Sequence, residues 1–226
     1  MTEKITKQEL KQPDRFQILT AKVMLYLTKH KKEAVLVSGA LVLVVLVVAG
    51  WYVYDWNQQK SAMALYNKAS EMYAKQQSSG QPSAEILKLY QDVVKEYAGT
   101  RAGAFAAYRL GYLHLGQLRL DESAAAFEGY LKHHGSDNEL GVLVYNGLGY
   151  VYEQKKAYPK ALDYFQKALN TKTGPTFAST NHENIARAYE ALKEQQKALE
   201  NYKKALEKAV DPAMKEILQR KIATLG

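Results

Sequence analysis

Three regimes of hydrophobic and polar patterning succeed one another along the chain. From Ala34 to Tyr54 (AVLVSGALVLVVLVVAGWYVY) the residues are apolar or small, and none is charged. As a helix this stretch rises about 31 Å, which matches a bilayer's hydrocarbon core of about 30 Å. Ahead of it, Phe16, Leu19, Val23, Tyr26 and Leu27 share one helical face while Arg15, Lys22 and Lys29 lie elsewhere. That spacing predicts a basic amphipathic helix from Pro13, either lying on the inner membrane surface or serving only as a positively charged topogenic leader. Beyond the apolar run the pattern keeps a helical period, with few β-branched residues and no strand-like alternation, so this part is expected to be all-α. Gly80 and Pro82 within Gln76–Ser83 (QQSSGQPS) predict a break, and polar Met1–Lys11 is expected to be disordered.

Within the third regime a unit recurs. The aromatic residues Tyr90, Phe127, Phe165 and Tyr202 stand 37, 38 and 37 positions apart, a helical-hairpin period. The clearest unit has Tyr145, Leu148, Gly149 and Tyr152 on a first helix and Ala161, Phe165 and Ala168 on a second, followed by Pro175. This resembles the tetratricopeptide repeat. Small residues at Gly149 and Ala161 are expected to let helices approach, with Tyr152 and Phe165 filling the space between hairpins. The unit before has Ala107, Leu110, Gly111, His114, Ser123, Phe127 and Tyr130; the unit after has Ile185, Ala186, Tyr189, Ala198, Tyr202 and Ala205. A more divergent first unit has Tyr66, Ala69, Ser70 and Tyr73 on one helix and Tyr90 on the next. From Asp211 a last helix is expected to cap the array, with Met214, Ile217, Leu218 and Ile222 on its packing stripe.

The expected architecture is therefore all-α: a single transmembrane helix at 34–54, then a tetratricopeptide helical-hairpin solenoid over 55–226 with about four repeats and a C-terminal capping helix. Residues 1–33 form a basic cytoplasmic leader. Charge supplies the orientation. Residues 1 to 54 hold 8 basic and 4 acidic groups, so half of the net +8 lies in this short segment. Basic residues crowd the near side of the run, while Trp51, Tyr52, Tyr54 and Trp56 mark the far end. The N-terminus is expected in the cytoplasm and the repeats in the periplasm. A cleaved signal peptide is the competing reading, with Val47-Val48-Ala49 as a loose cleavage site. The run, however, exceeds the about 7 to 15 apolar residues of a signal sequence, and the leader before it is long.

With the excess charge mainly topogenic, nucleic-acid binding is not expected. The absence of cysteine excludes a disulfide framework and thiolate metal sites. No Gly-rich phosphate loop, His-Glu zinc helix or Gly-x-Ser-x-Gly elbow occurs. His133 and His134 are adjacent in a region expected to be a solvated loop after a helix, where both cannot face one metal. His114 and His182 are isolated on helices, consistent with packing. No enzyme, cofactor, metal or small-molecule substrate is expected.

Function is then sought on a surface. In tetratricopeptide arrays the first helices line the concave face, and here the residues between packing positions are Phe105, Tyr108, Tyr112, Asn146, Tyr150, Glu153, Glu183 and Arg187. Four aromatic side chains among polar ones predict a groove for an extended peptide or a partner's helix. The alternative is that some rings fill gaps between hairpins, since the chain holds 17 tyrosines. The two-Asn, two-Lys clamp of repeats that capture chaperone C-termini is not visible.

The anchor passage GWYVYDWNQQKSAMALYNKA and the closing DPAMKEILQRKIATLG resemble the YfgM-like bacterial inner-membrane proteins, the ancillary subunit of the SecYEG translocon. The resemblance implies a single inner-membrane span, a periplasmic tetratricopeptide domain, and contact with the translocon and with a membrane-anchored periplasmic chaperone of the prolyl-isomerase type. The longer leader departs from the family's shortest members. A scaffold for envelope assembly or cell division, never touching nascent chains, is the rival reading.

Overall fold

The computed structural model describes residues 15–76 and 82–226, which are helical with no strand among them. The expected disorder of Met1–Lys11, the helix start at Pro13 and most of the QQSSGQPS break lie outside the described residues. Two compact units divide at Trp56 and Asn57.

The first unit holds α1 (Arg15–Lys29) and the opening part of α2 (Lys31–Gln76). A single turn residue, His30, separates them, with backbone bonds from His30 N to Tyr26 O at 3.0 Å and from Ala34 N to His30 O at 2.9 Å. Every large apolar side chain from Val35 to Tyr54 is more than half exposed, so no described residue covers this face. Among the described helices, α2 alone is long and apolar enough to cross a membrane. It does not end with the apolar run, because the helical pattern from Gln58 to Lys75 continues the same helix.

The second unit consists of the end of α2 followed by α3 (Ala84–Glu96), α4 (Arg101–Gly116), α5 (Leu120–His134), α6 (Glu139–Gln154), α7 (Tyr158–Leu169), α8 (Ala178–Ala191), α9 (Gln195–Lys208) and α10 (Pro212–Leu225). A 3-10 turn at Gly174–Phe177, holding Pro175, leads into α8. From α3 to α10 each helix packs mainly on its chain neighbours, and α4 also meets α6. Buried residues form successive small clusters, each shared by a hairpin and its neighbour. That is how a repeat array builds its core.

Local chemistry sets the hairpins. Thr100 and Asn138 cap α4 and α6, accepting from Gly103 N at 3.0 Å and from Gly141 N at 3.0 Å. The turn from first to second helix is the same in three hairpins: Leu118, Lys156 and Lys193 have φ of 57°, 57° and 62°. After each, a backbone N–H reaches back five residues: Arg119 N to His114 O, Ala157 N to Tyr152 O and Glu194 N to Tyr189 O, at 2.8–2.9 Å. These left-handed positions repeat at the hairpin period, although none is glycine.

The predicted packing residues occupy the core. Phe127, Phe165 and Tyr202 are buried, as are Ala161, Ala168, Ala198 and Ala205. A Cβ at Gly149 would overlap the Phe165 ring, and one at Gly111 or Gly147 would overlap Phe127. Phe127 thus lies against a glycine of its own hairpin and one of the next.

Two expectations need correction. Ile217 does not belong to the stripe of α10: it is 43% exposed, whereas Leu218 is fully buried and Met214 and Ile222 are partly so. A four-residue step over a short helix keeps 214, 218 and 222 together and turns 217 aside. His133 and His134 are not in a loop but form the last turn of α5. His134 is half-buried, with Nε2 2.8 Å from Ala98 O, so only His133 is solvated.

Candidate functional site

The eight candidate residues lie on α4, α6 and α8, the first helices of three successive hairpins. Phe105, Tyr108 and Tyr112 come from α4; Asn146, Tyr150 and Glu153 from α6; Glu183 and Arg187 from α8. The Tyr108 and Tyr112 rings meet edge-on at 5.0 Å, and Tyr112 meets Phe127 edge-on at 5.1 Å. The Tyr112 hydroxyl donates to Leu143 O at 2.9 Å, and burial pushes its pKa far up. Tyr112 is thus one of the rings that fill a gap between hairpins.

Between α6 and α8 the polar residues bond to one another. Asn146, only 4% exposed, donates from Nδ2 to Asn181 Oδ1 at 2.8 Å. Its Oδ1 accepts from Asn184 Nδ2 at 3.0 Å, which also lies 3.0 Å from the Tyr150 hydroxyl. Asn181 Nδ2 reaches Gly174 O at 3.3 Å. One heptad further, Glu153 takes Arg187 in a two-pronged ion pair at 2.6 and 2.9 Å. The guanidinium stands 5.6 Å over the Tyr150 ring. Burial works against the Arg187 charge, but Glu153 more than offsets it and raises the Arg187 pKa.

Asn146 therefore does not present its amide to an open groove; it is buried between repeats. Asn181 and Asn184, both buried, complete the network and were not among the sequence candidates. Their signal was register. They follow Asn146 by 35 and 38 positions, and Arg187 follows Glu153 by 34, the step that brings first helices of adjacent hairpins side by side.

The more open part of this face lies toward the start of α4. Phe105 is half-buried under the Arg101 guanidinium, 5.4 Å from its ring centroid, and near Tyr66 at 5.9 Å. With Arg101, Ala104, His134, Glu139 and Leu140 it lines a cleft of about 400 Å³. At the cleft wall the Tyr130 hydroxyl donates to Asn138 Oδ1 at 2.5 Å. Tyr108 and Glu183, also on this face, are each half-buried.

Among the described residues no group of three or more His, Asp or Glu could hold a metal. His114 is buried, its Nδ1 is unpaired, and burial holds its pKa below the ordinary histidine value, so it packs as a neutral ring. His182 shares its Nδ1 with Asn201 Oδ1 at 3.1 Å.

A helical-hairpin array with these packing positions is matched by the model of the tetratricopeptide repeat-like domain over residues 30–226. The chain belongs to this tetratricopeptide repeat-like family. Among solved structures it is similar to BtubC (BKLC) from P. vanneervenii, at 17% identity and a TM-score of 0.60, covering 76% of this chain and 82% of that one. It is also similar to the MamA protein, at 15% identity and a TM-score of 0.55, covering 71% and 80%. A putative kinesin light chain repeat protein of Podosopora anserina follows at 13% identity and a TM-score of 0.55, covering 74% and 86%. At these identities the likeness is one of fold. No curated protein matches the sequence closely enough to add to it. As a tetratricopeptide repeat-like protein, the chain is an interaction module whose partners are proteins.

Proposed function

We propose that this tetratricopeptide module is held at the bacterial inner membrane by α2, with its repeats in the periplasm, and there assists the SecYEG translocon and a membrane-anchored prolyl-isomerase-type chaperone in handling exported proteins. The observation that carries the binding role is the first-helix face. Phe105, Tyr108 and Tyr150 are partly exposed on α4 and α6, while Tyr112, Asn146, Asn184 and the Glu153–Arg187 pair lock neighbouring helices in place. Rigid aromatic anchors on a preformed surface bind with little ordering loss. The choice of translocon and chaperone rests on the resemblance of the anchor and closing segments.

Orientation follows from charge bias: eight basic residues precede the apolar run, so the N-terminus is cytoplasmic. Protease added to spheroplasts should digest the repeats. A need to rupture the inner membrane first would reverse the orientation.

Capture from solubilised membranes tests the face. Tyr112 and Asn146 are poor probes because replacing them disturbs packing, whereas Phe105→Ala with Tyr108→Ala removes two partly exposed rings. Recovery of translocon or chaperone should fall about tenfold, the scale of one anchor side chain worth more than about 1 kcal/mol. A parallel chain carries the native repeats on an unrelated membrane anchor. Binding that survives the double substitution but is lost with the foreign anchor places recognition in the bilayer. Recovery of division or outer-membrane assembly proteins in place of the translocon favours the scaffold.

A further inference from the structure

Helix α1 has a surface that no part of the described chain accounts for. None of its residues is buried, and Phe16 and Leu25 are each 70% exposed. Leu19, Val23, Met24, Tyr26 and Leu27 are exposed as well. Left in water, that many large apolar side chains on 15 residues require a cover.

The charges indicate which cover. From Arg15 to Lys29 the helix has no acidic residue, and its cations, Arg15, Lys22 and Lys29, recur every seven positions. Seven residues are close to two turns, so the three lie in a row, about 21 Å from first to last, with Ile18 and Leu25 on one side of it and Leu19 and Val23 on the other. A helix threading a bilayer collects its cations at an end. A row along the whole length, beside the apolar face of Phe16, Leu19, Val23 and Leu27, suits a helix lying flat at a negatively charged surface with its lysines reaching sideways to headgroups. The helix is also next in the chain to the apolar part of α2, with only His30 between them and Lys31 and Lys32 following. A span in α2 would hold α1 beside the membrane. We propose that α1 docks flat on the anionic lipid leaflet at the cytoplasmic end of the span. This rests on the reading of α2 as a membrane helix.

The chain lacks cysteine, so one introduced cysteine carries a nitroxide at one place. The labelled full-length protein goes into vesicles of neutral phosphatidylcholine, with or without one part in three of anionic phosphatidylglycerol. Collisions with oxygen report lipid, and collisions with a nickel chelate report water. In anionic vesicles, labels at Leu19, Val23 and Leu27 should be oxygen-dominated and labels at Gln17 and Thr28, on the opposite side, nickel-dominated. In neutral vesicles the docked fraction should fall, since each cation near an anionic leaflet favours docking about fivefold. Lys22→Gln with Lys29→Gln should have the same effect. A label at Val44 is the reference. If Val44 is oxygen-dominated while Leu19, Val23 and Leu27 meet nickel, docking is overturned and the span stands. If Val44 meets nickel, the span itself is overturned. Oxygen dominance at Gln17 and Thr28 as well replaces flat docking with insertion, and equal burial in neutral vesicles removes the anionic partner.

Discussion

Gly149→Ala should destabilise the repeat domain, and Gly149→Leu should do so more strongly, although both replace a poor helix former with a better one. At most helical glycines the reverse is expected, because glycine in a helix interior costs about 1 kcal/mol relative to alanine. At Gly149 the added Cβ would stand inside the ring of Phe165. That ring is fully buried and packs with Ile185 and Ala188 of the next hairpin, so moving it shifts a second interface. Overpacking of this kind costs about 1 to 3 kcal/mol. Each kcal/mol lowers the melting temperature of a domain this size by about 2–4 °C. Gly129 on α5 supplies the control: a Cβ there meets nothing within 4 Å, so Gly129→Ala should leave the melt unchanged or raise it. Thermal melts followed by circular dichroism on the chain in detergent compare the two. Equal effects at both glycines would mean that Gly149 is not a contact position and that the packing of α6 on α7 is misassigned.

The same size constraint explains why the repeats could be read from the sequence. A buried ring and the glycine or alanine it rests on must recur together at the hairpin length, and Gly111–Phe127, Gly149–Phe165 and Ala186–Tyr202 do so. The apolar run of α2 was legible for a similar reason, since its length and lack of charge are properties of the segment alone. The state of the first-helix face was not legible in this way. A helical period places Asn146 and Tyr150 on a face, but not whether their polar atoms are free. That depends on which residue arrives from the next first helix; here Asn181 and Asn184 arrive, and Asn181 also bonds to Gly174 O in the 3-10 turn that leads into α8. Ile217 shows the limit at finer scale: on a two-sided helix such as α10, one residue beside the buried Leu218 already faces solvent.

Replacing Asn146 and Asn184 together with alanine should cost less than the sum of the two single replacements. In the native chain Asn184 Nδ2 lies 3.0 Å from Asn146 Oδ1 and 3.0 Å from the Tyr150 hydroxyl, and both asparagines are nearly inaccessible to water. Asn184→Ala leaves the Asn146 carbonyl without that donor in a place water does not reach, a loss of about 1 to 3 kcal/mol. Asn146→Ala in turn leaves an Asn184 donor and an Asn181 acceptor with one partner fewer. In the double variant the Asn146–Asn184 bond is gone from both sides, so the total should fall short of the sum by about 0.5 kcal/mol or more. Strict additivity would mean that the two amides do not share a bond. The cycle also separates stability from binding. Both amides are buried, so the proposed partner is expected to seat without touching them. If α6 and α8 are held in register by these bonds, Asn184→Ala should weaken capture by a partner that spans both helices while leaving one seated at Phe105 and Tyr108 unaffected. Affinity measured on single and double variants at a temperature well below their melts therefore locates the partner along the face. An equal loss with Phe105→Ala and with Asn184→Ala assigns it the whole length from α4 to α8.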